Sequence, residues 1–454
     1  MPEDERLIIE PGVEMRFRRS EDAFRNGKLV VYGSIEALGT EGDSIIFKPE
    51  IEEELENRFR MSWDGVILSN TSEDSSIFEY CTFEDALSGV YLSGAEKSRI
   101  SYCTFKGNYY GLLAEDSSRG VVSGNLFLRN SPFALRSTFS NLIITNNSVI
   151  GHGRDDPEHL GYGFLVYGNN CLVSNNKLEN LRGFAIVMEN TTSRVYQNII
   201  RRCFYGFRTS NHGYPEILNN TVIESINCFY FNTMSDTIGF RISNNIIAYC
   251  DTIAIMNADR NYIGNLNHNI SNNLFFENPI NFVNMSDSLL GIIDIVNANG
   301  DSCDSYSNIF INPLFIDIEA GNYELTENSP CIDAGVDVDL AYVGESPDIG
   351  ALEFCRMGVR SSNKQIPEQF SILSCYPNPF NSTINISYTI PHPGNLSLSL
   401  YDIQGRNISH EVLSISQAGR FSDVFDLSDY PTGVYILEMG FESVVKRQKL
   451  VLVR

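Results

Sequence analysis

Tyr80-Cys81-Thr82-Phe83 returns as Tyr102-Cys103-Thr104-Phe105, then as Gly124-Asn125-Leu126-Phe127 and Asn146-Asn147-Ser148-Val149, at a step of 22 residues each time. The second position of the pattern continues as Asn176, Asn198, Asn220, Asn245, Asn273 and Asn308, at steps of 29, 22, 22, 25, 28 and 35. Seven of the extra residues fall between Gly151 and Leu160. Two apolar columns keep register with this marker. Three residues before it stand Phe78, Ile100, Val122, Ile144, Val173, Val195, Ile217, Ile242 and Ile270. Two residues after it stand Phe83, Phe105, Phe127, Val149, Leu178, Ile200, Val222, Ile247, Phe275 and Phe310. A unit this short cannot bury its apolar face alone, so successive units must stack.

Gly, Asn and Ser break each repeat into runs of four to six residues without helical period, which reads as three short strands per turn. The expected fold is all-β, a right-handed parallel β-helix solenoid followed by a small Ig-like β-sandwich, the hand following from the general preference for right-handed crossovers and not from the spacing. The eight marker asparagines, Asn125 to Asn308, need partners once buried. Stacked in file, each amide bonds the copies above and below and the backbone of a tight corner. Glycines eight residues after the marker, Gly89, Gly111 and Gly206, read as a corner needing positive φ or close backbone approach.

The chain has 454 residues and no apolar run long enough for a transmembrane helix. Its net charge of −24 is uneven. From Glu368 onward six Lys/Arg oppose eight Asp/Glu, a balance of −2, which leaves −22 before it. Such a surface repels phosphate backbones, so nucleic-acid binding is excluded as an expectation. The ten cysteines form no Cys-x-x-Cys pair. Cys81 and Cys103 occupy marker positions and read as small inward-facing residues. Cys203 and Cys250 share one column two coils apart, beyond disulfide reach, and are expected to be free buried thiols.

Met1 to Arg6 lack a basic start and an apolar segment, while Leu7-Ile8-Ile9 to Phe17 already reads as strand. A truncated or wrongly started reading frame is therefore expected. Glu10-Pro11-Gly12-Val13, Leu29-Val30-Val31-Tyr32-Gly33 and Trp63-Asp64-Gly65-Val66 resemble the first coils of the extracellular right-handed β-helix family that includes the pectate-lyase-like proteins. That resemblance implies the fold, its hand and an exported habit; many chemistries share the scaffold. The helix is expected over 1–355, with N-terminal coils at 1–77, regular coils at 78–282 and looser coils and a cap at 283–355. Within the last part, Asn328-Ser329-Pro330-Cys331-Ile332-Asp333-Ala334-Gly335 and Asp348-Ile349-Gly350-Ala351-Leu352-Glu353 are similar to a closing segment and are expected to cover the open end. A linker follows at 356–367.

Residues 368–454 carry Tyr376-Pro377-Asn378-Pro379-Phe380-Asn381, Tyr401-Asp402-Ile403-Gln404-Gly405-Arg406 and Tyr430-Pro431-Thr432-Gly433. In that order they resemble the type A sorting domain of the type IX secretion system of Bacteroidetes-type bacteria. The resemblance implies a cargo, secreted or held at the outer-membrane surface, whose partner through 368–454 is the secretion machinery.

For chemistry, the insertion Gly151-His152-Gly153-Arg154-Asp155-Asp156-Pro157-Glu158-His159-Leu160 is the catalytic candidate, through His152, Arg154, Asp155, Asp156 and His159. Its Gly-His-Gly and Asp-Asp echo polygalacturonase motifs, but in the reverse order and without their partners. Arg136, Arg208 and His212 show no acidic column beside them of the kind pectate lyases use. Asp333, Asp337, Asp339 and Asp348 are compatible with Ca²⁺, although turn capping explains them as well; no other cofactor is indicated. Tyr109, Tyr110, Tyr167, Arg208, His212 and Tyr214 are the candidate ligand contacts, aromatic rings being able to stack on sugars. The expected function is binding of a polysaccharide or other cell-surface polymer by a monomer; the alternatives are a polysaccharide lyase, a glycoside hydrolase or a structural adhesin.

Overall fold

The computed structural model describes residues 2, 5–18, 26–50, 63–69, 76–151, 161–168, 170–210, 213–232, 240–258, 268–285, 291–297, 299–340, 342–354, 370–376, 378, 380, 383–392, 394–415, 419–427, 430–441 and 444–453. Two compact units emerge, one of 1–336 with 343–354 and one of 337–342 with 355–454. Among the described residues no helix is long and apolar enough to cross a membrane.

The first unit is a right-handed parallel β-helix of three sheets, each of 11 strands. Every coil gives one strand to each sheet. The column before the marker pairs Phe78 with Ile100, Ile100 with Val122 and Val122 with Ile144 in the first sheet. In the second sheet Phe83, Phe105 and Phe127 lie side by side. These are the inner wall: all seven are fully buried. The rings of Phe47, Phe83, Phe105 and Phe127 stack in file at 4.8, 5.0 and 4.8 Å.

The corners explain the asparagines. The residue before each marker takes positive φ, as in Tyr80, Tyr102, Gly124, Asn146, Asn175, Asn219 and Asn244, a conformation that favours Gly and Asn. The marker then turns its amide inward. The Asn125 N–H donates to Asn147 Oδ1 at 3.0 Å, and Asn125 Nδ2 donates to the same oxygen at 2.9 Å and to the Ile100 carbonyl at 2.9 Å. The pattern repeats through Asn176, Asn198, Asn220, Asn245 and Asn273 to Asn308. Cys103 fills the same role by accepting from the Cys81 N–H at 3.4 Å.

Each rung presents two donors to the next, so the last must meet a group that only accepts. Asp304, fully buried, takes that place: its carboxylate accepts from the N–H and Nδ2 of Asn308 at 2.9 to 3.2 Å. A second ladder runs through Asn108 and Asn130 at the next corner.

Three expectations change. Gly89, Gly111 and Gly206 lie within third-sheet strands and not at a corner; a Cβ on each would stand 2.7, 2.4 and 2.4 Å from the neighbouring coil's carbonyl oxygen. Close approach is the reason for glycine there. Cys203 is a buried thiol outside any disulfide, but Cys250 is bonded to Cys228 across a Cα separation of 6.5 Å. The two belong to different columns of adjacent coils, which the rule of same-column distance does not cover.

The closing segment, third, lies along the flank and not over the open end. Asn219 Nδ2 donates to the Asp348 carbonyl, Asn244 Nδ2 to the Val336 carbonyl, and the Ala351 N–H to Thr221 Oγ1. Ile349, Tyr323, Leu325 and Cys331 pack on Ile223, Ile246 and Leu274, the outward side chains of the second sheet.

Within that segment, among the described residues, Asp348 and Glu353 accept from backbone N–H groups: Asp333 and Phe354 donate to Asp348, Val343 and Asp348 to Glu353. Asp333 Oδ1 likewise accepts from Glu345 and Ser346. Burial pushes Asp348 up to about 6 and Glu353 up to about 7. Both folded values exceed the unfolded ones, so the native state keeps protons the unfolded chain has released. Stability is therefore greatest below about pH 4 to 5 for these two groups and falls as pH rises through 7. At about 1.4 kcal/mol per pKa unit, the loss is on the order of a few kcal/mol. Thermal unfolding should show a melting temperature several degrees lower at pH 8 than at pH 5, and Glu353→Gln should flatten that slope. An equal or higher melting temperature at pH 8 in both proteins would refute the assignment.

The second unit has an antiparallel sheet of Ser371–Tyr376, Thr383–Ile390 and Gly419–Asp426, and another of Asn407–Ile415, Gly394–Asp402, Gly433–Phe441 and Val444–Leu452. Ile384, Ile386, Tyr388, Leu396, Met439 and Leu452 share its core. The motif residues hold its turns. Asn378 clamps the last strand, donating to the Lys449 carbonyl at 2.7 Å and accepting from the Val451 N–H at 2.8 Å. Asp402 accepts from the N–H groups of Gln404 and Arg406 around Gly405 at φ 77°.

Candidate ligand-binding face

The third sheet carries the features a ligand can read. Its strands include Ala86–Ser93, Tyr110–Glu115, Phe133–Thr138, Tyr162–Tyr167, Phe184–Glu189, Tyr205–Ser210 and Asn227–Asn232. Strand alternation turns every second side chain outward and register aligns them in rows. One row is Tyr110, Phe133, Tyr162, Phe184 and Tyr205. A second contains Tyr91, Leu113, Arg136, Leu165, Val187, Arg208 and Tyr230. A third contains Glu115, Tyr167 and Glu189.

The first row is a stack. Its centroids are 6.1, 4.9, 6.2 and 4.3 Å apart, with planes within 21° of parallel. Gly183 makes room for it, since a Cβ there would lie 2.6 Å from the Tyr162 ring. Rings that face one another offer a ligand their edges and hydroxyls, not their faces. Arg136 lies over Tyr110 at 6.0 Å and Arg208 over Phe184 at 5.5 Å. Arg208 also pairs with Glu189 at 3.5 Å, and Tyr91 donates to Glu115 at 3.0 Å. Burial raises the pKa of Tyr91 and Tyr205, with Glu115 and Tyr230 adding to it, so both phenols remain donors at neutral pH.

Of the residues singled out in the sequence, Tyr110, Tyr167 and Arg208 come together on this face. Tyr109 precedes the strand and packs edge-on against Tyr110 at 4.8 Å. Tyr214 is exposed in the corner between Tyr205–Ser210 and Glu216–Leu218, away from the rows. His152, Arg154, Asp155, Asp156, His159 and His212 lie outside the described residues. Gly151 and Gly161, which bracket that insertion, are described, and Gly161 adjoins the middle ring, Tyr162.

The sequence reading missed the acids: Glu115 and Glu189 stand two residues beyond the arginine row, and outward alternation would have found them. They are three coils apart, about 14 Å at about 4.8 Å per coil, too far for the paired carboxylates of glycoside hydrolysis. Among the described residues no group of three or more His, Cys, Asp or Glu is arranged to hold a metal.

A solenoid of parallel coils followed along the chain by an antiparallel unit is the architecture of a repeat protein with a second domain. Residues 55–169 match the family model of the right handed beta helix region, and residues 374–453 match that of the secretion system C-terminal sorting domain. The chain is a right-handed parallel β-helix protein with a type IX secretion sorting domain, and that domain marks it for the cell surface or the medium. No curated protein matches it.

Proposed function

We propose that this exported protein binds a polysaccharide or comparable cell-surface polymer along the outer face of the third sheet. The supporting observation is the trio of rows there, in which the first-row phenols recur every second coil and the two arginines and the two glutamates stand three coils apart, presenting hydrogen-bonding groups in line. A polymer with a regular repeat meets such a face at several points, and weak contacts add. The glutamates are too far apart to act as a catalytic pair, which favours binding over cleavage.

The test is a panel of neutral and acidic polysaccharides in affinity electrophoresis and calorimetry. Arg208→Ala is expected to weaken binding at least tenfold, because a hydrogen bond to a charged group contributes about 1.5–3 kcal/mol. Arg99→Ala, on the outside of the first sheet, should leave it unchanged. Equal binding by all three proteins, or no binding to any polymer, would rule the proposal out. Release of reducing ends or unsaturated products that is lost in His152→Ala would instead favour a hydrolase or lyase built on the 151–160 insertion.

A further inference from the structure

The second sheet does not end with its eleventh parallel strand. Ile309 bridges Leu274 in parallel, Cys303 bridges Ile309 in antiparallel, and Ser302–Asp304 pairs with Ile293–Val296. Ile293–Val296 is thus the outermost strand, with no further strand beside it among the described residues. Ile292, Ile293, Ile295 and Val296 are 50, 56, 42 and 61% exposed. Open sheet edges are normally blunted by Lys, Pro, bulges or a covering element, since they are templates for pairing with another chain. Here the pairing with Ser302–Asp304 shifts register between Ile293 and Ile295, yet the edge still carries three exposed isoleucines and a valine.

Charge identifies what fits it. Residues 261 to 355 contain fifteen Asp or Glu and not one Lys or Arg. Asp294 and Asp301 lie at the edge itself, both close enough to Cys303 to raise its pKa along with burial and the buried Asp304. A second copy would bring equally acidic ends together, which like-charge repulsion opposes.

We propose that Ile293–Val296 is a docking edge for an extended strand of another protein in which apolar residues alternate with Lys or Arg. Main-chain hydrogen bonds would extend the second sheet by one strand, the partner's apolar side chains would cover the isoleucines, and its cations would meet the aspartates, the mode known as strand addition. This site is independent of the polymer-binding face.

The probe is a fluorescein-labelled peptide of four Val-Lys repeats, titrated with the full chain and followed by anisotropy. Three comparisons define the outcome. A Val-Glu peptide should not bind. A Val-Lys peptide N-methylated at alternate residues, which keeps charge and side chains but cannot pair along one edge, should bind at least tenfold more weakly to the unaltered protein. Asp294→Lys, an exposed change, should weaken the parent peptide by a similar factor and reduce its salt dependence. Equal binding of the N-methylated peptide would show charge attraction alone and overturn the proposal. So would unchanged binding by Asp294→Lys, no binding of the Val-Lys peptide, or a concentration-dependent dimer that excludes it.

Discussion

Asn147→Ala is expected to destabilise the solenoid by about 3–6 kcal/mol. The substitution leaves the Asn125 N–H without an acceptor, takes one of two acceptors from Asn125 Nδ2, and removes the donor to the Val122 carbonyl. It also removes the donor of the bond to Asn176 Oδ1. Each orphaned buried group costs about 1–3 kcal/mol, and water cannot reach a site 1% exposed. Asn147→Cys should cost distinctly less, because the chain already uses a thiol in this place: Cys103 accepts from the Cys81 N–H and donates to the Phe78 carbonyl at 3.5 Å. Urea unfolding followed by circular dichroism separates the two. An alanine variant within about 1 kcal/mol of the parent, or a cysteine variant as damaged as the alanine one, would contradict the ladder as the source of corner stability.

Phe105→Ala carries the other large effect. The ring is fully buried and stacked between Phe83 at 5.0 Å and Phe127 at 4.8 Å, with edge atoms against Gly89. Truncation of a buried Phe costs about 3–5 kcal/mol, and two stacking partners lost at about 0.5–1.5 kcal/mol each place this site at the top of that range. A coil rests only on its two neighbours, so the damage should be local. Hydrogen exchange should rise most in Cys81–Glu84, Thr104–Lys106 and Leu126–Leu128, while Thr221–Ile223 keeps its protection. Uniform loss across the helix would contradict nearest-neighbour stacking.

The columns were legible in the sequence because they repeat. Phe78 to Ile270 and Phe83 to Phe275 occupy the inner wall in the register their spacing implies, and Asn125 to Asn308 stand in file. What sequence order left obscure were relations between columns. Cys228 and Cys250 meet across a corner, where one repeat's eighth position faces the next one's fifth. Glu115 and Glu189 share a face with Arg136 and Arg208 although they occupy another row. The flank position of the closing segment did leave a signal: after Glu179 and Arg201 one outward second-sheet column turns apolar at Ile223, Ala248 and Phe276, beside Ile246 and Leu274 of the other, although Leu126, Leu128 and Ile150 are apolar in earlier coils. That switch marks a surface needing cover, which the expectation of an end cap overlooked. The 151–160 insertion has no periodicity for a column argument to use.

Hydroxyl-radical footprinting of the tyrosines, with and without a bound polysaccharide, tests the binding face most directly. Protection of Tyr110, Tyr162, Tyr205 and Tyr230, with Tyr102 and Tyr214 as reactive as before, is the expected result. Protection confined to Tyr102 or Tyr214, or to none of the six while the polymer is bound, would place the ligand elsewhere and contradict the account.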